Sequence, residues 1–156
     1  MSGVHQLAAK TTEESGIRSV VVRGTAPGFA QEILAGPHRM AADEPLPVGG
    51  TDTGPSPYDF LLAALGACTS ITVVMYARRK KWPLEEVTVN LRHSKIHASD
   101  CAECETEEGM LDRVERDIHF TGKLTMEQRS KLLEIANKCP VHRTLMSEID
   151  IRTRAV

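Results

Sequence analysis

The sequence predicts an α+β fold in which antiparallel strands flank one long apolar helix. Three observations carry that expectation. Short β-branched runs occupy the N-terminal third, an uncharged run of 18 residues (60–77) follows a loop rich in proline and glycine, and two helix starts show capping-box spacing. The order is strands, long helix, hairpin, helix, strand, with no internal repeat, so the 156 residues (1–156) read as a single domain.

Taken in order, residues 17–23 are rich in valine and isoleucine and read as a strand. A turn over 24–28 leads to a second strand at 30–34, and Gly36-Pro37 leads to a third at 38–42. From Asp43-Glu44-Pro45 to Gly54 the composition is that of a loop. Ser56 as N-cap and Pro57 at the first helical position open the long helix. Asp59 falls three residues after Ser56, where a longer glutamate would reach back more easily. The helix runs to about Lys81 and stops at Trp82-Pro83. Val87, Val89 and Leu91 alternate within a strand at 84–96, a polar, acidic stretch covers 97–112, and 114–121 returns as the partner strand. Thr125 with Gln128 opens a second helix through Lys138, with Leu132, Leu133, Ile135 and Ala136 on a broad apolar face. Pro140 interrupts it, a short helical turn follows, and 148–153 closes as a strand.

Composition narrows the function classes. With 19 basic and 21 acidic residues the charge is nearly balanced, and aromatics make up 4%, so neither a nucleic-acid partner nor a base-stacking surface is expected. Residues 1–6 lack the basic and apolar regions of a secretory signal, which with four cysteines suggests reduced thiols and a cytoplasmic location. The 18-residue apolar run, followed by Arg78-Arg79-Lys80-Lys81, is marginal for a membrane span of about 20 residues. It contains Gly66, Thr69, Ser70 and Thr72, and the expected reading is a core helix of a compact or dimeric protein, with no membrane partner.

Two thiols 71 residues apart stand in different settings: Cys68 within the apolar helix, and Cys139 before Pro140. At 3.6 residues per turn Cys68 shares a face with Leu61, Ala64, Leu65, Ile71, Thr72 and Met75, where burial disfavours thiolate. On residue chemistry alone it reads as core packing, and as a nucleophile it needs a cation brought from elsewhere in the fold. Cys139 ends one helix and is placed to N-cap the next turn, a setting suited to a resolving thiol, with His142 and Arg143 nearby.

Residues 54–79, with Ser56-Pro57-Tyr58-Asp59 and Leu65-Gly66-Ala67-Cys68-Thr69, resemble the first signature of the OsmC/Ohr family. Asn137-Lys138-Cys139-Pro140-Val141-His142-Arg143-Thr144-Leu145 resembles the second signature, in the version of the OsmC-like branch, and 38–50 also fits that branch. The resemblance implies an OsmC-like fold and an intertwined homodimer with sites at the interface. It implies a peroxiredoxin-like, thiol-dependent peroxidase that reduces organic hydroperoxides and hydrogen peroxide in oxidative-stress defence, needs no cofactor, and is recycled by an external dithiol. By the same resemblance Cys68 is the peroxidatic thiol and Cys139 the resolving one, joined as a disulfide after oxidation. The family's activating arginine and its partner carboxylate are matched best by Arg23 and Asp59, with Arg18 and Arg39 as alternative arginines; Asp59 is one methylene shorter than the family's glutamate.

The remaining thiols form Cys101-Ala102-Glu103-Cys104, preceded by His93 and His97, a permissive set for tetrahedral zinc. A surface hairpin loop that happens to hold two thiols is the simpler reading of the pair. Asp100, Glu103, Glu105, Glu107 and Glu108 disfavour thiolate there and argue against a thioredoxin-like role. Two functions follow: the peroxidase using Cys68 and Cys139, and, as the alternative, a stress-response or binding module of the same fold, stabilised by zinc at Cys101/Cys104 and with little peroxidase activity.

Overall fold

A computed structural model describes residues 17–156, so the N-terminal segment examined for an export signal lies outside the described residues. The chain forms strands β1 (Val21–Gly24), β2 (Gln31–Ala35) and β3 (His38–Ala42), then helix α1 (Pro57–Lys80). Strands β4 (Leu84–His97) and β5 (Met110–Gly122) follow, then helices α2 (Met126–Ala136) and α3 (Pro140–Leu145). The α+β class and the order expected from the sequence hold through α3. The chain divides into two compact units between Phe60 and Leu61, within the first turn of α1.

In the first unit β1, β2 and β3 form an antiparallel meander with Val21 opposite Leu34 and Gln31 opposite Ala42. The first strand starts at Val21 rather than 17, because β2 turns away after Ala35 and leaves 17–20 no partner. The following loop is organised by one buried carboxylate. Asp43 accepts hydrogen bonds from the backbone N–H groups of Glu44, Thr51 and Thr53 and from the hydroxyls of Thr51 and Thr53. The Thr51 and Thr53 hydroxyls hold its carboxyl far below the usual range, against the opposing effect of burial. The end of this unit is a capping box in full: the Asp59 carboxylate accepts from the Ser56 backbone N–H (2.8 Å) and hydroxyl (2.7 Å), while the Asp59 N–H donates to Ser56 Oγ (3.3 Å). Aspartate is long enough to close the box here.

In the second unit α1 and α2 pack on the β4–β5 hairpin, which keeps register from Glu86–Thr121 to His97–Met110. Val73 and Ala77 of α1, Phe120 of β5 and Leu132 and Ala136 of α2 form the core, with Tyr76, Trp82, Leu84, Val87, Ile118 and Leu124 around it. Complete burial of Val73 and Leu132 contributes about 1.5–3 kcal/mol each relative to exposure. Gly66 permits the close approach of helix and hairpin, since a Cβ there would stand 2.8 Å from Leu91 Cδ1. By length and composition α1 would pass as a membrane-crossing helix. One stripe of it, Leu65, Gly66, Thr69, Val73 and Ala77, is buried within protein. It ends with Lys81 in the left-handed region (φ 56°) and the Trp82 N–H on the Ala77 carbonyl, a Schellman-type stop just before Pro83.

Two further expectations change. The hairpin strands are longer than predicted and shorten the connection to 98–109, opened by a 3-10 turn at Ala98–Asp100. The closing strand expected at 148–153 does not form. These residues are exposed and irregular, because no neighbouring strand among the described residues offers them a ladder.

Candidate functional site

Both free cysteines of the second unit meet at one helix start. Cys139 is the N-cap of α3 and Pro140 its first residue, so the first position lacks an N–H and the next two carry free donors. Each donor goes to one sulfur. The Val141 N–H donates to Cys68 Sγ (3.4 Å) and the His142 N–H to Cys139 Sγ (3.3 Å). Cys68 is partly exposed, whereas Cys139 is fully buried.

Thr69, next to Cys68 and fully buried, ties the two helices together. Its hydroxyl donates to the Leu65 carbonyl (2.7 Å), accepts from Arg116 Nη1 (2.7 Å) and lies 3.7 Å from Cys139 Sγ. Arg116 projects from β5 on the inward side shared with Ile118 and Phe120. Its guanidinium also reaches the Ala136 carbonyl (3.4 Å), Asn137 Oδ1 (2.8 Å) and His142 Nδ1 (3.4 Å). Among the described residues it forms no ion pair, so its charge is available to an anion at the sulfurs.

Burial pushes the Cys139 thiol up. The His142 N–H, the Thr69 hydroxyl, the Cys68 thiol and the Arg116 charge together outweigh it, so its pKa lies below the ordinary thiol value. Burial first, and then Arg116, lowers the His142 pKa. A guanidinium only donates, so His142 Nδ1 is an acceptor and the proton of the neutral ring sits on Nε2. The arrangement can hold a thiolate at Cys139 next to a second, more accessible sulfur.

Of the residues singled out in the sequence, Cys68, Cys139 and His142 come together here. Arg23 and Asp59 belong to the first unit. Their expected pairing is replaced by two separate contacts: Arg23 lies 3.7 Å from Glu32, which also pairs with Arg39 (3.2 Å), and Asp59 serves Ser56. Asp59 is a helix cap because Ser56 is the nearest donor to its short side chain. Arg116, Thr69 and Asn137 were missed. The signal was available for Arg116 alone, a charged residue on the inward-facing parity of a strand otherwise lined by Ile118 and Phe120.

The expected metal group takes another form. Cys101 and Cys104 are joined in a disulfide, His93 Nε2 lies 2.8 Å from Asp112 Oδ1, and no three metal-ligating side chains cluster among the described residues. A disulfide offers a metal no thiolate.

Between α1 and the α2–α3 junction runs an apolar groove of about 640 Å³, lined by Thr72, Met75, Tyr76, Ile135 and Pro140 together with the stems of Arg78, Arg79 and Lys138. Thr72 is one helical turn from Cys68 and donates to its carbonyl (2.7 Å), and Pro140 follows Cys139.

Several solved structures share this fold. An OsmC-like protein of Mycoplasma pneumoniae superposes with a TM-score of 0.66 at 16% identity, covering 85% of this chain and 89% of its own. The organic hydroperoxide resistance protein OsmC of Legionella pneumophila gives 0.60 at 21% identity, over 83% of this chain and 88% of that one. The organic hydroperoxide resistance protein OhrB of Bacillus subtilis gives 0.58 at 19% identity, over 86% and 93%. At these identities the likeness is one of fold. A comparison with curated protein sequences finds no match. The model of the family described as OsmC-like protein matches residues 50–154, a span that takes in all four cysteines, α1 and the whole hairpin, and the chain therefore belongs to the OsmC-like protein family.

Proposed function

We propose that the protein is a thiol-dependent peroxidase that reduces organic hydroperoxides, with Cys68 as the peroxidatic and Cys139 as the resolving cysteine. The observation that carries this reading is the convergence of two free thiols on adjacent N–H donors of α3, beside an arginine that forms no ion pair among the described residues. Accessibility supports this division of roles. A peroxide oxygen must reach the reacting sulfur, and Cys68 is partly exposed where Cys139 is sealed. The Cys68 thiolate attacks the terminal peroxide oxygen, the O–O bond breaks, and ROH leaves with a proton, giving Cys68 sulfenic acid. The Cys139 thiolate, favoured by its surroundings, then attacks the Cys68 sulfur and expels hydroxide, which leaves as water. The apolar groove beside Thr72 and Pro140 suits the organic group of such a substrate. An external dithiol returns the disulfide to two thiols, as a reducing, cytoplasmic setting supplies.

One equivalent of tert-butyl hydroperoxide added to the reduced Cys101→Ser/Cys104→Ser chain is expected to yield a Cys68–Cys139 disulfide, read by intact mass and peptide mapping. Cys68 left alkylatable after oxidation would sink the reading.

The active unit in this proposal is a homodimer. Leu61, Ile71 and Met75 of α1 are 36, 59 and 66% exposed, an apolar surface that a second copy would cover. Light scattering at micromolar concentration is expected to report about twice the 17.1 kDa chain mass. A clean monomer there would remove the shared interface from the proposal.

A further inference from the structure

The second pair of thiols has no part in the reaction above, yet the structure holds the two pairs in opposite redox states: Cys101 and Cys104 are bonded, while Cys68 and Cys139 are free. The bonded pair lies in the loop between β4 and β5, with Cys104 exposed and Cys101 partly so. Its backbone geometry stands apart from the sulfur bond. The Cys101 N–H donates to the Ala98 carbonyl (3.0 Å), the Cys104 N–H to the Cys101 carbonyl (3.3 Å), and the Ala98 N–H closes the loop on Gly109 (2.8 Å). The two Cα atoms stand 5.4 Å apart within that turn. So small a ring removes little chain entropy, and a disulfide there adds little to the stability of the fold.

Charge separates the two couples. Whatever favours thiolate favours the reduced form of a dithiol/disulfide couple and makes its disulfide the better oxidant. At Cys139 the His142 N–H donates to the sulfur, the Thr69 hydroxyl lies 3.7 Å away, and the Arg116 guanidinium bonded to that hydroxyl brings positive charge. Around Cys101 and Cys104 stand the exposed carboxylates Asp100, Glu103, Glu105, Glu107 and Glu108, which oppose thiolate. Electrons therefore run downhill from the loop pair to the Cys68–Cys139 pair. Met110, at the base of the loop, and Arg116 stand six positions apart along β5, roughly 20 Å at the strand rise, a separation that favours exchange between chains over exchange within one.

We infer that Cys101 and Cys104 form a second redox couple, an exposed dithiol that reduces the Cys68–Cys139 disulfide of another copy of this chain, and so is the point at which an external dithiol delivers electrons. The use of that couple in turnover rests on the peroxidase reading. A loop thiolate attacks Cys68, the more accessible sulfur, and Cys139 leaves as the thiolate its surroundings favour. The second loop thiol then attacks the mixed disulfide, forming Cys101–Cys104 and releasing Cys68. Two thiols are oxidised, one disulfide is reduced, and the two protons pass to the released sulfurs.

The exchange is tested without peroxide. The Cys101→Ser/Cys104→Ser chain, oxidised with diamide to its Cys68–Cys139 disulfide and desalted, is mixed with reduced Cys68→Ser chain. Peptide mapping is expected to find Cys101–Cys104 in the second and free Cys68 and Cys139 in the first, at a rate that rises with protein concentration. No transfer, or zinc retained on the reduced loop in place of exchange, overturns the inference. In turnover, fully reduced wild-type chain is expected to consume two equivalents of tert-butyl hydroperoxide, against one for Cys101→Ser/Cys104→Ser. One equivalent in both overturns the relay and leaves the peroxidase intact; undiminished consumption by Cys68→Ser alone overturns the peroxidase assignment, whatever the exchange experiment shows.

Discussion

Cys68→Ser is expected to abolish hydroperoxide reduction, lowering the rate by roughly 10⁴-fold or more, the scale on which loss of a covalent nucleophile acts. Serine preserves the size of the group facing the Val141 N–H, so the fold should stand while the reactive thiolate is gone. Cys139→Ser is expected to behave differently. It keeps an N-cap oxygen for the His142 N–H, so α3 should start as before. The chain should then reduce one peroxide, stop, and hold a sulfenic acid on Cys68 that a 1,3-dione reagent labels. The contrast separates the roles of two sulfurs that share one helix turn. Sulfenic acid on Cys139 in the Cys68→Ser chain, with the first step intact, would reverse the assignment that accessibility supports.

What the sequence made legible was mostly local. Ser56 with Asp59 and Thr125 with Gln128 announce two helices because a capping box is written within four residues, and both boxes form. The stop at Trp82-Pro83 is equally local. Cys139 and Pro140 predict the start of α3 for the same reason, and with it the N–H groups that hold both sulfurs. Arg116 was legible only as a charge on the inward parity of β5; its partners depend on the hairpin register that sets Leu91 opposite it and on the packing of α2 behind it. The segment 148–153 alternates like a strand, but alternation describes a face and cannot supply the neighbour that a ladder requires. Cys101 and Cys104 pose the opposite problem: the same four-residue spacing serves a metal or a disulfide, and the turn drawn together by Ala98 and Gly109 is compatible with the bond seen.

Arg116→Met is expected to slow closure of the Cys68–Cys139 disulfide by about 10²-fold at neutral pH, the effect of losing a preorganised electrostatic partner. The sign follows from the charge. Arg116 favours the Cys139 thiolate against burial, so its removal raises the Cys139 pKa, reduces the thiolate present at neutral pH, and moves the rise of the closure rate to higher pH. His142 does not compensate, because burial, the larger of the two causes holding its pKa down, persists in the variant. Methionine also frees the Thr69 hydroxyl from its donor without leaving it unsatisfied, since it still donates to the Leu65 carbonyl. Arg116→Lys should recover part of the rate: an ammonium restores the charge but cannot span Thr69 and Asn137 as the guanidinium fork does. Single-turnover kinetics resolve this from an effect on the first step. A closure rate and pH profile in Arg116→Met that match the parent chain would show that the α3 N–H groups suffice for the thiolate, and that Arg116 serves only to join β5 to the helices.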